Sequence, residues 1–208
     1  MDWSAFAVML LNLFLVIDPV GCMPLVVTIT KDNTPRERHR MVLKATVIAF
    51  LVLVFFAVIG RALLTHFGIS VAAVKIAGGF LLFGIGAEML YGRISGTETT
   101  KVEEKEAMEK EDVSITPLAI PLLAGPGSIA AVMLFTSTGT YATGTTIVIT
   151  ALAAILIISY VMLSLSHVLF KYLGTIGLKV TARVMGLLLV FMSAQLVLDG
   201  LKLAGFVG

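Results

Sequence analysis

Charged residues are scarce in this chain: Asp, Glu, Lys and Arg together make up 13% of its 208 residues. A soluble domain carries about a quarter charged residues, so the composition excludes an ordinary soluble protein. Hydrophobic residues make up 58% of the chain, and the mean hydropathy is +1.03. We therefore expect an integral membrane protein with an all-α fold.

Disulfides, metal-ligand clusters and nucleotide-binding motifs are also lacking. A single cysteine, Cys22, excludes an internal disulfide framework. The three histidines, His39, His66 and His167, show no metal-ligand spacing, and no Walker motif occurs. We accordingly expect no metal, no cofactor and no nucleic-acid partner.

Long apolar runs dominate the sequence. A helix needs about 20 apolar residues to cross the hydrocarbon core of a bilayer. The first run lacks the basic start of a signal peptide and is too long for one, so we count it as a span. Six segments qualify: 4–30, 40–64, 69–92, 114–137, 144–170 and 180–204.

Lys and Arg are distributed unequally between the connections. The loops after the first, third and fifth segments hold most of them, whereas the opposite side has only Arg61 and Lys202 near its segment ends. Basic loops stay in the cytoplasm. This pattern predicts that both termini lie outside and that the charged linker 96–113 is cytoplasmic.

The third and sixth segments share an internal repeat. Four positions align without a gap: a basic residue, a glycine, a phenylalanine and a closing glycine (Lys75/Arg183, Gly78/Gly186, Phe83/Phe191 and Gly92/Gly200). Pro19 and Pro126 match at nearly the same offset in the first and fourth segments. Because each half has three spans, the second half must enter from the opposite face. We predict two inverted three-helix repeats, 1–95 and 114–208, joined by the linker.

Two runs within the spans are unsuited to a continuous helix. Asp18-Pro19-Val20-Gly21 is followed by Pro24 in the first segment, and Gly125-Pro126-Gly127-Ser128 lies in the fourth. Proline removes a backbone donor and clashes with the preceding turn. We expect Pro19, Gly21 and Pro24 to unwind the first segment and Ser128 to cap the second half of the fourth. Proline kinks that only shape packing are the alternative.

Breaks in matching positions of two inverted halves indicate a transporter substrate site. Half-helix N-termini suit a carboxylate, and Asp18 suits an amine, a proton or sodium. A site with both poles suits a small zwitterion. The predicted substrate-binding residues are Asn12, Asp18, Pro19, Val20, Gly21, Cys22, Gly125, Pro126, Gly127, Ser128 and Gln195, with Asp18 also the coupling-ion residue.

Other charged residues in the spans have simpler interpretations. Lys75 and Arg183 lie near span starts, where long basic side chains reach back to the interface. Glu88 and Asp199 lie near span ends and are expected to face the interface.

The two broken motifs resemble those of the MarC family, also called UPF0056. The matching stretches are Ile17-Asp18-Pro19-Val20-Gly21-Cys22-Met23-Pro24, residues 116–129 (TPLAIPLLAGPGSI), and the tail from Arg183 through Gln195 to Gly200. The family typically has Asn where this chain has Cys22. The resemblance implies a six-span protein of the plasma or inner membrane. It also implies similarity to archaeal transporters of the small neutral amino acids glycine and alanine.

Three functions remain open from the sequence. The first is a secondary active transporter of small neutral amino acids, coupled to protons or sodium and working by alternating access. An intramembrane hydrolase would use Ser128 with His167, or Asp18 with Asp199. A passive channel or exporter of small solutes would need polar residues through the full depth of the membrane. We expect a transporter rather than an enzyme, and a dimer or trimer is possible.

Overall fold

The computed structural model describes residues 3–92, 114–137 and 145–206, and these residues form helices and turns without a strand. The linker 96–113 lies outside the described residues. The helices, in chain order, are α1 (Trp3–Ile17), α2 (Pro19–Ile29), α3 (Pro35–His66), α4 (Val71–Leu90), α5 (Ser114–Leu123), α6 (Pro126–Ser137), α7 (Thr145–Ser164) and α8 (Ser166–Leu203).

The expected all-α membrane architecture is confirmed. In the described ranges, five helices are long and apolar enough to cross a membrane, and α5 with α6 forms a sixth, bent span. The first and fourth spans are discontinuous, as predicted. One boundary was wrong: α7 ends at Ser164 rather than at residue 170, and α8 begins at Ser166.

The early start of α8 includes a break at Gly174. Its φ of 63° and ψ of 178° are not helical, and only glycine adopts such a conformation without strain. The apolar span of α8 therefore begins after this break, at Ile176. The stretch from Ser166 to Gly174 is a separate short arm that precedes the span.

Local signals explain where α3 and α4 begin. Thr34 Oγ1 accepts a hydrogen bond from the Glu37 amide at 3.3 Å, and the Thr34 amide donates to Glu37 Oε2 at 2.8 Å. This reciprocal pair is a capping box, and Pro35 occupies the first helical position. Ser70 Oγ similarly accepts from the Ala73 amide at 3.1 Å and starts α4.

The buried core lies where α1 and α2 pack against α7, with α3 covering α5, α6 and α7. Leu13, Val26, Leu53 and Leu152 are fully buried. Large apolar side chains also cover the outside of the bundle: Phe55, Phe80 and Phe191 are 52%, 66% and 61% exposed. A soluble protein rarely exposes apolar surface on this scale, whereas lipid surrounds it favourably.

The most extensive helix contact joins α4 and α8. A Cβ at Gly86 would lie 2.8 Å from the Gly186 carbonyl oxygen, and a Cβ at Gly200 would lie 3.1 Å from that of Ala72. Early residues of α4 thus contact late residues of α8, so the two helices are antiparallel. This orientation is the one that an inverted repeat requires, while the repeat itself stays a prediction.

Candidate functional site

The break in the first span is a single residue. Asp18 has φ 45° and ψ 61°, a left-handed conformation, which few residues other than Gly, Asn and Asp adopt readily. The helical hydrogen bonds continue on both sides, from the Asp18 amide to Phe14 O at 2.9 Å and from the Cys22 amide to Asp18 O at 3.1 Å. The expected unwinding over Pro19, Gly21 and Pro24 is wrong, because all three lie inside α2.

Asp18 is the N-cap of α2. Its Oδ1 accepts a hydrogen bond from the Gly21 amide at 3.0 Å, and Pro19 follows at the first helical position. A Cβ on Gly21 would overlap Asp18 Oδ2. The absence of a side chain at position 21 therefore leaves room for the carboxylate in this left-handed conformation of Asp18.

The break in the fourth span is larger. Thr116 and Ile120 have extended backbone angles, and each precedes a proline, Pro117 or Pro121, through a cis peptide bond. Proline disfavours helical geometry in the residue before it. After Ala124 and Gly125 the chain re-enters a helix, and α5 and α6 meet at a bend of 52°.

Ser128 does not cap α6, contrary to the sequence prediction. The helix begins at Pro126, and the Gly125 carbonyl accepts from the Ile129 amide at 3.0 Å. Gly125 is thus at the cap position, and Ser128 lies within the first turn with 2% of its surface exposed. Proline is favoured at the first helical position, so Pro126 places the start two residues before Ser128.

A cavity of about 310 Å³ lies between α1, α4, α6 and α8. It contains Asn12 and Gln195, two of the predicted substrate-binding residues. The other predicted residues, 18–22 and 125–128, do not line it. Its lining consists of Asn12, Val16, Val74, Lys75, Gly78, Leu82, Ala130, Ala131, Leu134, Phe135, Met192, Gln195, Leu196 and Asp199.

Two charged residues in this cavity face each other across the α4–α8 contact. Lys75 Nζ lies 4.0 Å from Asp199 Oδ2, with side chains 16% and 39% exposed. Gln195 Nε2 donates to Asp199 Oδ1 at 2.8 Å. The sequence analysis assigned Lys75 and Asp199 to the membrane interface and did not predict that they contact each other. The two residues meet because α4 and α8 pack antiparallel, which places the start of α4 beside the end of α8.

The cavity reaches the second break. Val16 and Leu82 are among its lining residues, and a Cβ at Gly127 would lie 3.0 Å from Leu82 Cδ2 and 3.8 Å from Val16 Cγ1. Val16 is also only two residues before Asp18. The lining therefore includes both the Lys75–Asp199 pair and side chains that lie next to Gly127 in the second break.

The described residues contain no group of three His, Cys, Asp or Glu side chains that could hold a metal ion. Asp18 and Asp199 have separate partners, the Gly21 amide and the Lys75–Gln195 pair. The polar chemistry of the site therefore consists of one ion pair, two side-chain amides and a capping carboxylate.

The chain matches the family model described as "MarC family integral membrane protein" over residues 3–204. The chain belongs to the MarC family. A UPF0056 membrane protein of Pyrococcus abyssi is 38% identical over 96% of this chain and 95% of its own length. The UPF0056 membrane protein YvbG of Bacillus subtilis is 33% identical over 97% and 96%.

These relatives extend the similarity to nearly the full length of the chain. A UPF0056 membrane protein of Aquifex aeolicus is also 33% identical, over 92% of this chain and 90% of its own. No solved structure matches the chain significantly. Family membership therefore establishes a multi-pass integral membrane protein, and the function of this member has to be argued from its site.

Proposed function

We propose that this MarC family member is a secondary active transporter of small neutral amino acids such as glycine and alanine, and that it is not an enzyme. The observation that carries the proposal is the cavity between α1, α4, α6 and α8, which contains an ion pair and has lining residues next to the second helix break. Discontinuous helices beside a polar cavity are typical of secondary transporters.

The chemistry of the cavity favours a zwitterion. Lys75 Nζ would bind a carboxylate and Asp199 Oδ2 an ammonium group, and the 4.0 Å between them is longer than a hydrogen bond. A ligand with both charges would replace this weak pair with two closer ones. Asn12 and Gln195 add neutral donors and acceptors.

The size of the cavity favours a small substrate. Its volume of about 310 Å³ is at the lower end of the range for ligand pockets, roughly 300–1,000 Å³. Most of the lining is apolar, including Leu82, Leu134 and Phe135. A methyl group or a hydrogen fits beside these side chains, whereas a charged side chain would lack a partner there.

Alternating access would move the two halves around the central breaks. In this mechanism Asp18 is the coupling residue that takes up a proton or sodium ion, because it is a carboxylate within a membrane span. The capping bond to Gly21 links its charge to the start of α2. Uptake of the ion at Asp18 would weaken that bond and alter the break.

The proposed setting is the cell membrane, with both termini outside and the Lys75–Asp199 end of the cavity facing out. The partners are then the substrate, the coupling proton or sodium, and the lipid bilayer. Assembly into a homo-oligomer is part of the proposal.

Uptake of labelled glycine into proteoliposomes tests the function. The wild-type protein should accumulate glycine only under an imposed proton or sodium gradient. Lys75→Gln should reduce uptake about tenfold, since a hydrogen bond to a charged group contributes about 1.5–3 kcal/mol. Lys202→Gln is the matched control, because Lys202 is an exposed lysine at the end of α8.

Asp18→Asn tests the coupling in the same vesicles. Asparagine can still cap α2 and adopt the left-handed conformation, so the variant should fold and still exchange glycine across the membrane. Gradient-driven accumulation should be lost. Unchanged accumulation by Asp18→Asn would show that Asp18 is not the coupling residue. Equal uptake by the Lys75→Gln and Lys202→Gln variants would show that Lys75 does not bind the substrate.

A further inference from the structure

A second polar site lies at the opposite end of the bundle from Lys75 and Asp199. Five buried side-chain atoms in the described ranges have no hydrogen-bond partner, and four of them are Arg38 Nε, Ser164 Oγ, Ser166 Oγ and His167 Nδ1. Arg38 is in the first turn of α3, and the other three flank the junction of α7 and α8. Each unpartnered buried group costs about 1–3 kcal/mol, so a polar ligand that paired with these groups would stabilise this end of the bundle.

The charge of this site is positive. Arg38 is in neither the Lys31–Asp32 nor the Lys75–Asp199 ion pair. One terminal nitrogen of its guanidinium donates to Asn33 O at 3.3 Å, while Nε has no acceptor. A partly buried guanidinium with an unused donor is a strong site for an oxyanion.

The positive charge of Arg38 affects the protonation of His167. Burial lowers its pKa below the ordinary value, and repulsion from the Arg38 guanidinium lowers it further. Ser164, Ser166 and His167 lie within four residues of one another at the junction of α7 and α8, and α7 packs against α3, the helix that carries Arg38. An anion bound between Arg38 and His167 would relieve the repulsion and raise the pKa of His167.

The start of α8 adds a third contribution. Leu165 occupies the cap position and makes no side-chain cap hydrogen bond, and Ser166, the first helical residue, is fully buried with its hydroxyl unpartnered. The N-terminus of a helix carries a partial positive charge that favours anions.

The surroundings of the site are those of a membrane interface. Residues 165–175 lie between the apolar spans Thr145–Ser164 and Ile176–Leu203. Leu165, Val168 and Tyr172 are 46%, 52% and 84% exposed. Apolar and aromatic side chains beside a cationic group are typical of a helix at the headgroup level.

We propose that Arg38, Ser166 and His167 bind a phosphate group, carried either by a phospholipid headgroup or by free phosphate. Arg38 Nε and the Ser166 hydroxyl donate to the phosphate oxygens, and the start of α8 adds its dipole. Ser164 Oγ provides a further donor at the edge of the site. The site is separate from the transport cavity, since the two share no lining residue.

The test uses the full-length protein purified in phosphate-free detergent. One arm measures binding of dioleoylphosphatidylglycerol by native mass spectrometry, with dioleoylglycerol as the phosphate-free lipid of the same tails. The other arm titrates inorganic phosphate by calorimetry. Arg38→Gln should weaken binding about tenfold or more. The matched control is Arg36→Gln, which removes an exposed arginine two residues away and should change binding by about twofold or less.

The two binding measurements distinguish a phospholipid headgroup from free phosphate. Binding of the phospholipid but not of inorganic phosphate identifies a lipid site, whereas binding of both, with competition, identifies a general phosphate site. Ser166→Ala keeps the test informative if the Arg38→Gln protein does not fold. Removing an unpartnered buried hydroxyl should leave the melting temperature of the unliganded protein unchanged or raise it, and it should weaken binding about threefold. Failure of the wild-type protein to bind either probe, or equal affinities of the Arg38→Gln and Arg36→Gln variants, would show that only water occupies the site.

Discussion

At the residue scale, Asp18 and Gly21 form a local unit that interrupts the first span without unfolding it. The carboxylate of Asp18 accepts from the Gly21 amide at 3.0 Å, and the missing side chain at position 21 leaves it room. An acid and a glycine three residues apart therefore define both the position and the small extent of this break.

We predict that Gly21→Ala destabilises the protein. In an ordinary helix, replacing glycine by alanine stabilises by up to about 1 kcal/mol. Here the new Cβ would overlap Asp18 Oδ2 and break the cap, at a cost of about 0.5–2 kcal/mol. Thermal unfolding in detergent measures the difference.

Gly84→Ala is the control for this prediction. Gly84 is inside α4, and a Cβ there would meet nothing within 4 Å, so alanine should be neutral or stabilising. A Gly21→Ala protein as stable as the Gly84→Ala protein would contradict the role assigned to Gly21.

The residues that sequence reasoning misplaced show where local signals fail. Ser128 has the side chain of a good cap, but Pro126 determines the start of α6. Lys75 and Asp199 are far apart in the sequence, and each alone reads as an interface residue. Their contact depends on how α4 packs on α8, which neither residue encodes.

At the element scale, the antiparallel helices α4 and α8 together form one wall of the cavity. Glycines allow their backbones to approach closely. A Cβ at Gly86 would lie 2.8 Å from Gly186 O and 3.1 Å from the Val190 amide nitrogen. Because these are backbone atoms, they cannot move aside as a flexible side chain could.

We predict that Gly86→Ala separates α4 from α8 and destabilises the protein by about 1–3 kcal/mol, the usual cost of overpacking. Gly84→Ala, two residues away on the open side of the same helix, should not. The measurement is the melting temperature of each variant, together with the spin-label distance between α4 and α8. An unchanged distance and melting temperature in Gly86→Ala would show that the close contact is dispensable.

At the scale of the whole molecule, basic residues are concentrated at one end of the described helices. Lys31, Arg36, Arg38 and Arg40 lie around the start of α3, and Lys171 lies near the start of α8. The other end has the Lys75–Asp199 pair, close to the start of α4 and the end of α8. The Lys75–Asp199 pair and the proposed phosphate site therefore lie toward opposite ends of the bundle.

We predict the orientation of these faces by cysteine labelling. Cys22 is buried, so it should contribute little background. Lys202→Cys should react with a membrane-impermeant maleimide in intact cells, whereas Lys31→Cys should react only after permeabilisation. The reverse pattern would invert the proposed topology.

The sequence alone determined the membrane character, the six spans and which two of the spans are broken. These properties follow from long apolar runs and from residues such as Asp18 and Pro126, whose effects on a helix act within a turn or two. Only the tertiary structure decided that Lys75, Asp199 and Gln195 share a cavity with Asn12, and that polar atoms of Ser166 and His167 are buried without partners at the junction of α7 and α8. Such arrangements arise where distant helices pack, because packing depends on the shapes of whole faces rather than on any one stretch of chain.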